Sequence, residues 1–140
     1  SFMIAVVSIL TFYLIIDIEI KHFFNLILFT FLSAFILGNI GIIAGLWAEK
    51  FDHMASATNF VIVPLSFLSG TFYSIERLPE FLQTISKVNP FFYMIDGIRY
   101  SFIGNADGSI QIGIIYLTIL GLLSWLITYI LFKKGYKIKS

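Results

Sequence analysis

The sequence has no cysteine and very little charge: Cys is absent from its 140 residues, and Asp, Glu, Lys and Arg together make up 12%. Without cysteine there is no disulfide framework, no thiolate zinc site and no thiol nucleophile, and nothing about redox compartment can be read. A soluble domain carries about 25% charged residues, and this chain has too few to clothe a core of its size in water. The net charge of +1 comes without any basic patch interleaved with aromatics, so nucleic acid is excluded as a partner. The two histidines, His22 and His53, stand apart from one another. Each flanks an apolar run and reads as an interfacial loop residue rather than a metal ligand. A GxxxxGK[ST] loop is missing, so the chain encodes no nucleotide site. The acids are scattered among turns and short helices, with no catalytic triad or paired-carboxylate arrangement, and the protein reads as a non-enzyme. No acid lies inside a long apolar run to relay a proton, which disfavours a secondary transporter.

What the chain has instead is long apolar runs, with 59% hydrophobic residues and 16 phenylalanines. The first, 2–16, falls short of the ~20 residues a full span needs. No basic n-region precedes it, so it is not a signal peptide; it is expected to be a span cut short, in a chain that is the C-terminal part of a longer membrane protein. A charged turn from Asp17 to His22 follows. The run 23–47 is long enough to cross with some tilt. Its small residues Ala34, Gly38, Gly41 and Gly45 fall in one stripe that lets another helix approach closely. Packing within the chain is the favoured use of this stripe, and a dimer contact is the alternative. Asn39, beside the stripe at mid-membrane depth, needs a hydrogen-bond partner.

Glu49, Lys50, Phe51 and Asp52 form a short charged turn that, taken alone, is a solvated loop. The run 57–73 is at the lower limit for a span. Pro64 removes a backbone hydrogen bond in its interior and bends it, while Ser69 and Gly70 loosen its final turns. The last span, 112–132, presents Gly121, Ser124 and Thr128 as a small face. Lys133, Lys134, Lys137 and Lys139 close the chain, which by the positive-inside rule puts the C-terminus in the cytoplasm.

Between the last two spans lies the most informative stretch. Pro79 and Glu80 open an amphipathic helix, expected over 79–88, with Phe81, Leu82, Ile85 and Val88 on one face. Asn89-Pro90 stops it, because the residue before proline is driven out of helical geometry. A second helix is expected over 92–103, with Asp96 and Arg99 paired at i, i+3. Each helix covers only about half the bilayer. Together they are predicted to dip into the outer leaflet and return, a plain surface hairpin being the alternative. Gly104 to Ser109 is turn chemistry. The expected fold is an all-α integral membrane protein with four transmembrane helices and a two-helix extracytoplasmic re-entrant hairpin before the last span.

The sequence from Pro64 to Tyr73, then Leu78-Pro79, Val88-Asn89-Pro90 and Asp96-Gly97-Ile98-Arg99, resembles the C-terminal signature of ABC-2 type transporter permeases. The similarity is to the YadH-like branch of bacterial inner-membrane exporters, and Trp47 to Asp52 is similar to the cytoplasmic turn that precedes the signature there. The resemblance implies a six-helix permease protomer, of which this chain carries the third to sixth helices. It implies a second permease protomer, as a homodimer or with a similar subunit, and separate ABC ATP-binding subunits that hold ATP and magnesium; the chain itself would carry no cofactor. Under this resemblance Glu49, Lys50, Phe51 and Asp52 contact the ATP-binding subunit. Pro64, Ser69 and Gly70 belong to a kinked path-lining helix, and Pro79, Asn89, Pro90, Asp96 and Arg99 to the re-entrant hairpin. The first two spans and the main coupling helix of the family are missing, so the fragment is not expected to transport alone. A non-transporting membrane scaffold that recruits a partner complex is the other function considered.

Overall fold

The computed structural model describes residues 2–15, 20–48, 55–56, 58–70 and 77–134. Among them the regular structure is helical throughout, with no strand. In chain order the helices are α1 (Phe2–Ile15), α2 (Phe23–Trp47), α3 (Thr58–Phe67), α4 (Glu80–Val88), α5 (Pro90–Ile103) and α6 (Ile110–Lys133). Of the described helices, α2 and α6 are long and apolar enough to cross a membrane.

Three helices share the core. Phe29, Leu32 and Ile36 of α2 meet Met94 of α5 and Leu117 of α6. The buried positions of α6 are Gly113, Leu117, Gly121, Ser124 and Thr128, a stripe at steps of three and four. Its small members bring helices close: a Cβ on Gly121 would sit 3.4 Å from the Phe35 ring, and one on Gly113 would sit 3.2 Å from Tyr93. Gly113 lies by Phe29 and Gly121 by Phe35 and Ile36, so α2 and α6 run parallel. The two hydroxyls of the stripe are spent inside the helix, Ser124 on the Gly121 carbonyl and Thr128 on the Ser124 carbonyl, both at 2.9 Å. They are therefore buried without a desolvation penalty.

The opposite faces are apolar and open. Leu122, Leu123, Trp125 and Leu126 on α6 and Phe23, Phe24, Ile27 and Phe31 on α2 are exposed. A patch of this extent is unfavourable in water and is solvated by acyl chains. Asn39 is buried and finds its partner within its own helix, donating Nδ2 to the Phe35 carbonyl at 2.8 Å. A Cβ placed on Gly38, Gly41 or Gly45 meets nothing within 4 Å, so over the described residues the glycines of the α2 stripe face open space.

α3 is shorter than the 57–73 run. Its first half, Thr58–Ile62, is π-helical, and its second half, Val63–Phe67, is α-helical with Pro64 in the first turn. Pro64 lacks an N–H and its ring crowds the carbonyl four residues back; widening the preceding turn accommodates both. Gly70 takes φ 77, a left-handed conformation suited to glycine, and turns the chain away. Residues 71–76 lie outside the described residues.

The short helices differ slightly from the sequence expectation. Pro79 is the N-cap of α4 rather than a member of its first turn. α5 starts at Pro90, two residues before 92, because proline needs no donor at the first helical position and Asn89 supplies the cap.

Candidate functional site

α4 and α5 form a hairpin in which α5 lies against α2 and α6, α4 packs on α5, and the turn touches α3. Each attachment can be traced to named groups. The turn itself is held by Tyr116, whose hydroxyl donates to the Val88 carbonyl at 2.6 Å. Tyr116 lies six residues beyond Ile110, or about 9 Å along α6. At the other end, Lys21 donates to the Ile103 carbonyl at 2.6 Å, a cation on the negative end of α5. The His22 amide donates to the Ser101 carbonyl at 3.1 Å, and its ring stacks on Tyr100 at 4.6 Å. The segment entering α2 is thereby joined to the end of α5. Between these two points Gly97 lets Phe29 press on the backbone: a Cβ there would lie 2.2 Å from Phe29 Cδ1.

Asp96 and Arg99 pair at 2.7 Å, as the i, i+3 spacing predicts. Asp96 does more than that. It is 2% exposed, and its two oxygens also accept from the amides of Asp107 and Gly108, both at 2.9 Å. Asp107 in turn holds Arg99 at 3.0 Å, so the guanidinium bridges two carboxylates. Burial alone would lower the Arg99 pKa, but the hydrogen bond to Asp96 and the charge of Asp107 outweigh it, and the net shift is upward. The cation is permanent, and the cluster locks the 104–109 turn to α5.

Asn89 is the contact between α3 and the hairpin. It is 3% exposed. Its Oδ1 accepts from the Phe91 amide at 3.0 Å and caps α5, while Nδ2 donates to the Leu65 carbonyl at 2.6 Å. That carbonyl is available for a local reason. The Ser69 amide, its usual helical donor, bonds the Ser66 carbonyl at 3.3 Å as α3 ends. The Ser69 hydroxyl also donates to Ser66, and Ser66 donates to Ile62 at 2.8 Å. Asn89 therefore fills an acceptor that the end of α3 leaves open. Beside it lies a nearly all-apolar cleft of about 380 Å³, lined by Leu65, Thr84, Ile85, Val88, Asn89 and Pro90.

The structure thus joins α3 to the hairpin through Leu65, next to Pro64 in the chain, and Asn89, with Pro90 lining the same cleft, and it pairs Asp96 with Arg99 at another junction. Ala34, Gly38, Gly41 and Gly45 lie along α2, away from both. Glu49, Lys50, Phe51 and Asp52 lie outside the described residues. Sequence reasoning gave Tyr116 no role, and placed Gly97 only within the Asp96–Arg99 motif and Lys21 and Asp107 only in turns. Gly97 alone carried a local signal, as a glycine in the middle of a helix.

A family model described as ABC-2 type transporter matches residues 1–103. The inner membrane transport permease YadH of Escherichia coli K12 is 35% identical over 109 residues, covering 78% of this chain and 43% of that protein. Nodulation protein J of Rhizobium leguminosarum bv. viciae is 29% identical over 79 residues, covering 55% of this chain and 30% of that protein. The chain spans less than half the length of these curated relatives. No solved structure matches it.

Proposed function

Since the chain belongs to the ABC-2 type transporter family, we propose that it is a membrane-spanning part of an ATP-driven exporter permease. It forms the translocation path with a second permease protomer, and separate ATP-binding subunits drive it from the cytoplasmic side. In this reading α1 and α3 belong to two further spans beside α2 and α6, which makes four. The protein resides in the bacterial inner membrane with its C-terminus in the cytoplasm. The hairpin α4–α5 is re-entrant from the outer side. Two observations support this: the hydrogen bond from Tyr116 to Val88 draws the hairpin turn some way down α6, and Lys21 and His22 join the far end of α5 to the start of α2.

The observation that carries the mechanism is the bond from Asn89 to Leu65. α5 shares a core with α2 and α6, whereas α3 meets the hairpin at this bond and beside an open cleft. Closure of the ATP-binding subunits pushes on Glu49, Lys50, Phe51 and Asp52, just before α3. α3 then pivots at its π-helical half and Pro64, with its far end held by Asn89. Two packings of one element, biased by nucleotide on a partner, are what such coupling needs.

The test is co-purification of the permease with an ATP-binding subunit encoded beside it, followed by ATPase and export assays in proteoliposomes. Stable association and substrate-stimulated ATPase activity are expected. A permease that binds no ATP-binding subunit and moves no substrate would instead be a membrane scaffold.

A further inference from the structure

A second cavity, which shares no lining residue with the first, adjoins the end of α4. It has a volume of about 330 Å³ and is lined by Lys87, Phe92, Tyr93, Asp107, Gly108, Ser109 and Ile112. Its polar groups are mostly donors in want of an acceptor. The Lys87 ammonium and the Tyr93 hydroxyl make no hydrogen bond or ion pair among the described residues. Ser109 Oγ accepts from the Ile112 amide at 3.5 Å, which leaves its proton to give. The carboxylate among the described lining residues, Asp107, is held by Arg99 at 3.0 Å. A cation and two hydroxyls around a small cavity suit a phosphoryl group, whose oxygens only accept.

The surroundings specify where that phosphoryl group comes from. From the cavity wall, Ile112, Ile115 and Ile119 run along one face of α6, exposed by 56%, 60% and 54%. This ridge at steps of three and four leads along the helix and suits an acyl chain. We propose that the cavity at Lys87, Tyr93 and Ser109 binds the phosphodiester headgroup of a bilayer phospholipid, whose acyl chain lies on the Ile112–Ile115–Ile119 ridge. Lys87 is the anchoring charge and Tyr93 a secondary donor. Such a lipid would brace the hairpin turn against α6. The site stands on the cavity and its ridge, independently of whether the protein exports anything.

The experiment uses the permease purified in detergent, with native mass spectrometry and thermal unfolding as readouts. The probes are dioleoyl phosphatidylglycerol, dioleoyl phosphatidylethanolamine, dioleoylglycerol and glycerol 3-phosphate. Both phospholipids should be retained and raise the unfolding midpoint, and the other two should not. Lys87 is exposed, so Lys87→Gln should fold normally while weakening phospholipid binding about tenfold, the loss expected for one charged hydrogen bond. Lys87→Arg should restore it, and Tyr93→Phe, which keeps the ring packed against Phe92 and Tyr116, should lose several-fold. Equal binding of dioleoylglycerol would overturn the phosphoryl site. Equal binding of glycerol 3-phosphate, lost in Lys87→Gln, would overturn the lipid as its source. Undiminished phospholipid binding in Lys87→Gln would overturn the proposal outright.

Discussion

Asn89 has two jobs that two substitutions can separate. Asn89→Ala removes both the cap on Phe91 and the donor to Leu65. Losing an N-cap costs about 1 kcal/mol and leaving a buried carbonyl unpaired about 1–3 kcal/mol, so the sum is about 2–4 kcal/mol. Asn89→Asp keeps an oxygen for the Phe91 amide but has no proton for Leu65. It loses at least the second contribution, since the buried carboxylate also repels the Leu65 carbonyl. The start of α5 should stay intact, because a carboxylate caps a helix N-terminus as an amide does. Hydrogen exchange followed by mass spectrometry reads the two regions independently. In Asn89→Asp, amides over 63–70 should exchange at least about tenfold faster, a loss of about 1.4 kcal/mol or more, while those over 91–103 stay as in the wild type. In Asn89→Ala both regions should speed up. Wild-type exchange over 63–70 in Asn89→Asp would refute the assignment of Asn89 as the tie between α3 and the hairpin.

Other substitutions probe the same frame. Gly97→Ala drives a Cβ into the fully buried Phe29 ring and should cost about 1–3 kcal/mol by overpacking; Phe29→Leu in the same chain should recover part of it, seen as a non-additive shift in the unfolding midpoint. Asp96→Asn leaves Arg99 with one carboxylate and weakens two amide contacts, for a loss of roughly 3 kcal/mol. It should raise the accessibility of single cysteines placed over 104–109 to a membrane-impermeant thiol reagent, and unchanged labelling would remove the clamp from the account. Pro64→Ala should leave assembly intact while lowering substrate exported per ATP hydrolysed; a wild-type ratio would show that the break in α3 at Pro64 is dispensable.

Some of this arrangement was legible in the sequence and some was not, for identifiable reasons. α2 and α6 follow from uninterrupted apolar runs whose length matches a bilayer. The hairpin follows from Pro79 and Asn89-Pro90, since proline and the residue before it fix helix ends locally. The pair Asp96–Arg99 follows from helical spacing alone. Its third member, Asp107, lies in a turn eleven residues beyond Asp96 and reaches Arg99 only because Asp96 draws that turn back. Asn89 was readable as a helix stop, but its bond to Leu65 joins residues 24 apart, and that of Lys21 to Ile103 spans 82. Such contacts depend on how helices are laid together, which no local pattern encodes. Gly97 looked like a weak spot in a helix, and only the position of Phe29 shows what it makes room for.

In the proposed mechanism α3 pivots on a hairpin that stays with α2 and α6. Spin-label distances in the permease assembled with its ATP-binding subunit test it most directly. Exposed Phe60 on α3, Phe81 on α4 and Leu122 on α6 are suitable label positions. Between the nucleotide-free and ATP-bound states, the distance from Phe60 to Leu122 should change while that from Phe81 to Leu122 stays fixed. A fixed Phe60 distance, or a moving Phe81, would contradict the account.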